Sequence, residues 1–374
     1  MRIAVPTEIK NNEYRVAMTP AGAHDLIAAG HEIIVQAGAG EGSSIPDSAF
    51  EDVGARIVAD ADDVWASAEL VLKVKEPIAS EYRHFRKHLV LFTYLHLAAD
   101  KPLTDALLDS GMTALAYETV ELADRSLPLL APMSEVAGRL SAIVGAHTLL
   151  KPAGGPGLLV PGVPGTHPAN VTVIGGGVAG SNAAHVALGL GARVTVLDTN
   201  LARLREIDAL YGGRIETVAS NAFEIDRSVT SADLVIGSVL VPGARAPKLV
   251  TGELVSRMRQ GSVLVDIAID QGGCFEDSHP TTHADPTFPV HGSLFYCVAN
   301  MPGAVPHTST YALTNATLPY IRAVAAHGWR AAAARDTALL KGVNVTDGQL
   351  TNRPVAEAHA LEHTPAESLV ADQS

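Results

Sequence analysis

The stretch NVTVIGGGVAGSNAAHVALGLGARVTVLD, residues 170–198, constrains what this chain can fold into more than any other. An apolar strand-like run leads into Gly175, Gly177 and Gly180. An Ala-rich segment follows, and a second apolar run ends on Asp198, 23 residues after Gly175. The first glycine permits a tight turn out of a strand, the second lets backbone approach a pyrophosphate, and the third lets helix and strand pack closely. The N–H groups that open the helix then face the phosphates. This order predicts a βαβ unit that binds a dinucleotide. Asp198 is placed to hold the ribose hydroxyls and repel a 2′-phosphate, which favours NAD over NADP. Arg203 and Arg205 stand nearby, and a strand-end cap is the plainer reading of the acid. No Gly-Lys-Ser/Thr follows the glycines, so the NTPase type of phosphate loop is not indicated.

The rest of the chain repeats the alternation. Before this unit, RIAVP, HEIIVQ, ARIV, ELVLKVKE, LVLFTYLH and MTALAYET read as strands. TPAGAHDLIAAG reads as a helix, with Thr19 as N-cap, Pro20 at its first position and Gly30 closing it. After the glycine unit come RIETVA, ADLVIGSVL, SVLVDIAID and LFYCVAN. Strands alternating with helices imply parallel, doubly wound sheets. Long helical patterns at 132–150 and 309–329 flank the second set. The expected fold is therefore α/β, with two Rossmann-like doubly wound domains. A dinucleotide-binding domain, 129–306, is inserted into a discontinuous one, 1–128 and 307–374; two sequential domains are the alternative. Residues 151–170 carry five Pro and five Gly around an apolar centre. A loop of that length is usually functional or an interface element, and a hairpin packed on another subunit is expected. From about Asn352 the chain is polar and expected to be loosely ordered.

Composition removes several classes of function. With 374 residues, 47% hydrophobic and 18% charged, the chain suits two globular domains. A formal charge of −13, from 27 basic and 40 acidic residues, argues against nucleic acid or an anionic membrane as partner. Cys274 and Cys297 show no CxxC spacing, which suits a reducing compartment and gives no metal signature. Pro6 and Glu8 interrupt the N-terminus too early for a signal peptide. No apolar run approaches the ~18 residues of a membrane helix. A cytoplasmic protein is expected.

NAD implies hydride transfer, which needs a substrate anchor and an acid/base group besides the cofactor. Open α/β sheets present ligands at the carboxyl ends of their strands, so polar residues at strand exits are the candidates. ELVLKVKEP sets Lys73 and Lys75 opposite Leu72 and Val74, with Lys75 at the exit. HLVLFTYLHLAAD delivers His96, and LVDIAID delivers Asp270 just ahead of Gly272 and Gly273. Arg15, in KNNEYRVAMTP, stands before the first helix, where a guanidinium can take a carboxylate bidentately. Each also has a plainer reading: a solvated lysine, a structural histidine, a turn-forming aspartate, a surface arginine. Glu118, His185, His307 and His327 lack such a placement, no histidines show HExxH spacing, and no metal is expected. Asp266, within a strand that should be buried, receives no catalytic role.

Together MRIAVPTEIKNNEYRVAMTP, LVLKVKEP, LFTYLHLA, APMSEVAGRLS, VIGGGVAG, DIAIDQGGCFE and FYCVANMPGAVPHTSTYALTNATLPY resemble the L-alanine dehydrogenase family, over nearly the whole chain. The resemblance implies two Rossmann-like domains with the NAD domain inserted, assembled as a hexamer. It implies NAD-dependent, reversible oxidative deamination of L-alanine to pyruvate and ammonia. Arg15 and Lys75 would then bind substrate, with His96 and Asp270 catalytic. Cofactor contacts are implied from Ser134, from Val178 with Ala179 beside it, and from Asp198, Arg203, Ser220, Val239, Leu240, Ile267 and Asp270. The loop Val298, Ala299, Asn300 and Met301 completes that set. Relatives often carry arginine at the position of His279, where it helps hold the cofactor; the departure points to weaker or more pH-dependent NAD binding. The rival expectations are a transhydrogenase-type NAD-binding domain, which needs membrane coupling, and a non-enzymatic NAD sensor, which needs no converging acid and base.

Overall fold

Each apolar run read as a strand forms one, in a computed structural model that describes residues 1–239 and 246–370. The strands of the first set are β1 (Arg2–Val5), β2 (Glu32–Gln36), β3 (Arg56–Val58), β4 (Leu70–Leu72), β5 (Val90–Thr93) and β6 (Thr113–Ala116). The second set comprises β7 (Asn170–Ile174), β8 (Arg193–Asp198), β9 (Glu216–Ala219), β10 (Leu234–Gly237), β11 (Val263–Asp266), β12 (Thr287–Val290) and β13 (Ser293–Tyr296). Two more, β14 (Val343–Thr346) and β15 (Gln349–Leu350), follow near the end of the chain. Sequence reading leaves β12, β14 and β15 unassigned. β12 and β15 are edge strands, where no long apolar run is needed, and β14 lies next to the edge, paired with β15 and β6.

The chain divides into two units, Met1–Met133 with the chain from Val305 on, and Ser134–Ala304, so the second is inserted into the sequence of the first. The first unit's sheet runs β15-β14-β6-β5-β4-β1-β2-β3, parallel except at β14 and β15. The second runs β12-β13-β11-β10-β7-β8-β9, parallel except at β12. Strands β4, β5, β6, β10 and β11 are buried throughout, which is why they read as unbroken apolar runs. In each sheet the winding reverses beside the unit's first strand: β1 lies between β2 and β4, and β7 between β8 and β10. Two strand exits open side by side at such a reversal, the usual ligand position in this architecture.

The first helix, Pro20–Ala28, is capped by Thr19, whose side chain accepts from Gly22 N, and Gly30 leaves it with φ +88°. The two long helices are Ala131–Thr148 and Pro306–His327. No helix among the described residues is long and apolar enough to cross a membrane.

Two expectations fail. Residues 151–169, all described, form turns instead of a hairpin. A 3-10 turn at Lys151–Ala153 begins the segment, and Ala169 N donating to Val160 O at 2.8 Å closes it. Proline and glycine at half of these positions keep the backbone from forming a ladder. The described part of the C-terminal segment, 352–370, also carries regular structure. Asn352 caps a helix, Arg353–His359, and Val355 and Ala356 are buried in a cluster with Leu95 and Leu97. A few well-placed apolar residues dock a stretch whose average composition is polar.

Candidate active site

In the first unit, the β1 and β4 exits are joined by buried charge. The Glu8 carboxylate accepts from Lys73 Nζ at 3.1 Å and from Val74 N at 2.6 Å. Lys73 also meets Glu81 at 2.9 Å, and its side chain is 1% exposed. Two carboxylates keep this ammonium charged, above its ordinary pKa, against the cost of burial. Lys75 follows, half-buried, with its carbonyl accepting from Thr93 Oγ1 at 3.0 Å, so its backbone is tied to the end of β5. β4 stops at Leu72, and both lysines lie beyond it. The sequence pattern does not tell the structural lysine from the reachable one.

Arg15 is 2% exposed and so is no surface charge. It takes a carboxylate bidentately, and the carboxylate is the chain's own: Nε to Glu13 Oε1 at 2.6 Å and Nη2 to Oε2 at 2.5 Å. Nη1 lies 3.0 Å from Met133 Sδ, a weak acceptor.

His96 sits past the end of β5 in a left-handed conformation, φ 51° and ψ 36°. Its N–H donates to Glu118 Oε1 at 2.6 Å, and Leu95 N donates to the same carboxylate. Glu118 therefore corrects the sequence reading: it stands on a 3-10 turn, Tyr117–Thr119, directly after β6, and holds the His96 backbone. The ring is partly exposed, with Nδ1 3.5 Å from Glu76 Oε2. Burial works to lower the imidazole pKa, but the carboxylates of Glu76 and Glu118 outweigh it and leave the value raised. Glu76 also pairs with Lys10. Against its own burial, His96 and Lys75 hold its carboxyl well below the usual range. The neighbouring Tyr117 hydroxyl is buried with no hydrogen-bond partner among the described residues.

In the second unit the glycine turn leaves β7. Gly175 has φ +100°, and a Cβ there would crowd Ser238. A Cβ on Gly180 would stand 1.8 Å from Gly175 O, so helix and turn touch without space for a side chain. Gly177 has nothing within 4 Å of such a Cβ, leaving its backbone approachable. Gly177 also provides no side-chain cap for the helix Val178–Gly189. The N–H groups of its first turn, at Val178, Ala179 and Gly180, therefore lack intrahelical partners, as an anion requires. Asp198 ends β8, accepting from Gly176 N at 2.6 Å and Asn200 N at 2.7 Å. Arg203 braces the same turn, donating to Gly176 O at 2.6 Å and Ser181 Oγ at 2.9 Å. These features fit a dinucleotide's phosphates and ribose.

The remaining cofactor candidates fall along the same row of strand ends. Ser220 N donates to Asp198 O at 2.9 Å, Val239 follows β10, and Ile267 N donates to Gly237 O at 2.9 Å. Val298 bridges to Thr281, Asn300 is left-handed at φ 60°, and Met301 is buried. Ser134 lies in the helix Ala131–Thr148 one turn ahead of Gly138, where an added Cβ would be 2.1 Å from Ala179 O. Gly138 escapes sequence reading, its signal being a small residue in a helix interior. Leu240 lies outside the described residues. His279 stacks on Phe288, ring centroids 3.7 Å apart.

Asp270 is not the last residue of a strand. β11 ends at Asp266, and Asp270 is exposed on a 3-10 turn, Ile269–Gln271. The strand stops because Asp266 turns its carboxylate back on the following loop, with Ala268 N donating to Oδ1 at 3.1 Å and Cys274 N to Oδ2 at 2.9 Å.

Comparison with known proteins places this arrangement. Residues 4–137 match the family model described as alanine dehydrogenase/PNT, N-terminal domain, and residues 141–353 match its C-terminal counterpart. The alanine dehydrogenase of Mycolicibacterium smegmatis is 62% identical over 371 residues, covering 99% of this chain and 100% of that protein. A solved L-alanine dehydrogenase superposes with a TM-score of 0.93 at 50% identity, covering 96% of this chain and 99% of that one. A transhydrogenase from Sinorhizobium meliloti is more distant, with a TM-score of 0.81 at 25% identity over 94% of this chain and 99% of that one. With both halves matched by its models and a relative of that identity along its whole length, this chain belongs to the alanine dehydrogenase family.

Proposed function

We propose that this chain catalyses the NAD-dependent, reversible oxidative deamination of L-alanine. In that reaction L-alanine, NAD and water yield pyruvate, ammonium, NADH and one proton. The observation that carries the reading is 62% identity along the full chain to an alanine dehydrogenase. It is supported by a dinucleotide-type turn in one unit and a histidine with a raised pKa at a strand exit in the other. The transhydrogenase alternative rests on the more distant likeness.

Bound NAD would supply the acceptor for the hydride that leaves Cα. The turn from Gly175 to Gly180 would hold its pyrophosphate, and Asp198 its ribose, which would favour NAD over NADP. Ser134, Arg203, Ser220, Val239, Ile267 and Val298–Met301 would line it. Arg15, with two donors committed to Glu13, and Lys75 hold the substrate carboxylate and stabilise the carbinolamine oxygen as it gives up its proton and ammonia leaves. His96 accepts the proton released as water attacks the imine and returns it to the carbinolamine nitrogen so that ammonia can leave. Asp270 orients the water and moves a proton as ammonia leaves.

We further propose a cytoplasmic homo-oligomer, a hexamer. Ile143, Leu159 and Val163, each more than half exposed, offer apolar surface for subunit contact. Native mass before and after deletion of 154–165 tests this, and unchanged assembly contradicts the loop's part in it. The activity is tested by following NADH on adding L-alanine at alkaline pH, against serine, lysine and no substrate. Absence of alanine-dependent reduction would refute the proposal.

A further inference from the structure

We infer that Asp266 is the positioning residue for Asp270, an assignment that rests on the reaction proposed above. Asp266 ends β11 with 0% exposure, where a carboxylate is costly unless its hydrogen bonds are made. They are made. Oδ1 accepts from Ala268 N at 3.1 Å, and Oδ2 accepts from Cys274 N at 2.9 Å, Phe275 N at 3.3 Å and Ser278 Oγ at 2.6 Å.

These donors flank Asp270 on both sides in sequence. One carboxylate therefore closes the loop that carries Asp270, which is held between them on its single 3-10 turn. Gly272 and Gly273, at φ +93° and +77°, complete the reversal. A Cβ on Gly273 would come 2.6 Å from Asp266 Oδ2, so glycine there is a condition of the latch. The far side of the loop is pinned by Lys248 Nζ, donating to Gly272 O at 2.5 Å and Phe275 O at 2.7 Å. Ile267 is held separately, by its own N–H to Gly237 O at 2.9 Å. Loss of the carboxylate thus releases Asp270 while the cofactor-facing start of the loop keeps its anchor.

The test is a double-mutant cycle in the full chain, with Asp266→Asn, Ser278→Ala and Asp270→Asn alone and combined. Each variant is assayed where circular dichroism shows it folded, and NADH affinity is measured by fluorescence. Asparagine supplies one acceptor oxygen and sets an amide N–H against loop donors. The expected losses in kcat are on the order of 10-fold for Ser278→Ala, one hydrogen bond to a charged group, and on the order of 100-fold for Asp266→Asn. NADH affinity should fall far less than kcat, by at most a few-fold, because Asp270 is one of many implied cofactor contacts and Ile267 keeps its anchor. In the Asp270→Asn background both should cost at most a few-fold more, because residues acting as one unit are not additive. Independent, multiplicative losses would overturn the inference, as would unchanged kcat in Asp266→Asn. If Asp266→Asn does not fold, Ser278→Ala carries the same test. Absence of alanine-dependent NADH in the unsubstituted chain is a different failure, of the reaction itself, and takes this inference with it.

Discussion

His96 faces Glu76, with Nδ1 3.5 Å from Oε2, while the His96 backbone N–H is held by Glu118 at 2.6 Å. One carboxylate fixes where the imidazole is, and the other raises the pH at which it gives up its proton.

A pH dependence follows from the first pair. Deamination requires neutral His96, so its rate falls as pH drops through the imidazole pKa, which Glu76 raises. Glu76→Gln removes that charge, and the acidic limb of kcat/KM for L-alanine should move to lower pH. The reverse reaction requires protonated His96, so its alkaline limb should move to lower pH too. A pH–rate profile checks both, and a limb that stays put or moves upward contradicts the pairing.

Removing the proposed acid/base groups should be severe. His96→Ala and Asp270→Asn are each expected to lower turnover at least ~100-fold. Near-normal steady-state rates in either variant would remove that residue from the mechanism.

The two lysines of one short segment should separate by experiment. Lys73→Met leaves Glu8 and Glu81 buried without their cation, and breaking such a pair costs about 3–5 kcal/mol. Lys75→Met, at a partly exposed position, should leave the denaturant midpoint nearly unchanged and lower kcat/KM. Equal stability losses in the two variants would contradict this division.

The glycines should separate likewise. Gly180→Ala forces a Cβ to 1.8 Å from Gly175 O and should destabilise the second unit by about 1–3 kcal/mol, as overpacking does. Gly177→Ala meets nothing within 4 Å, so the fold should melt normally while NADH binds less tightly. Calorimetry and fluorescence titration read the two effects, and full NADH affinity in Gly177→Ala would exclude backbone approach at that glycine.

Much of the architecture was legible residue by residue. Apolar runs marked the central strands because strands buried on both faces need little else. Thr19 and Pro20 marked a helix start because capping is local. The strands at or next to the sheet edges, β12, β14 and β15, were not legible, since pairing partners and not composition make them strands. The docked C-terminal helix was hidden in the same way, because Val355 and Ala356 are buried only where Leu95 and Leu97 wait for them.

The division in the candidate site is similar. By itself, the sequence determined the α/β class, the dinucleotide-type turn and the strand exits at which Lys75, His96 and Asp198 stand. Each of these is written within a few consecutive residues, through backbone freedom at glycine and the burial of apolar runs. Only the tertiary structure decided that Lys73 is a buried ion-pair partner, that Glu118 holds His96 and that β11 ends at Asp266. It alone showed that Arg15 already grips a carboxylate. The physical reason is distance along the chain. Glu8 meets Lys73 across 65 residues and Glu118 meets His96 across 22, and no local pattern encodes which charge will be buried against which.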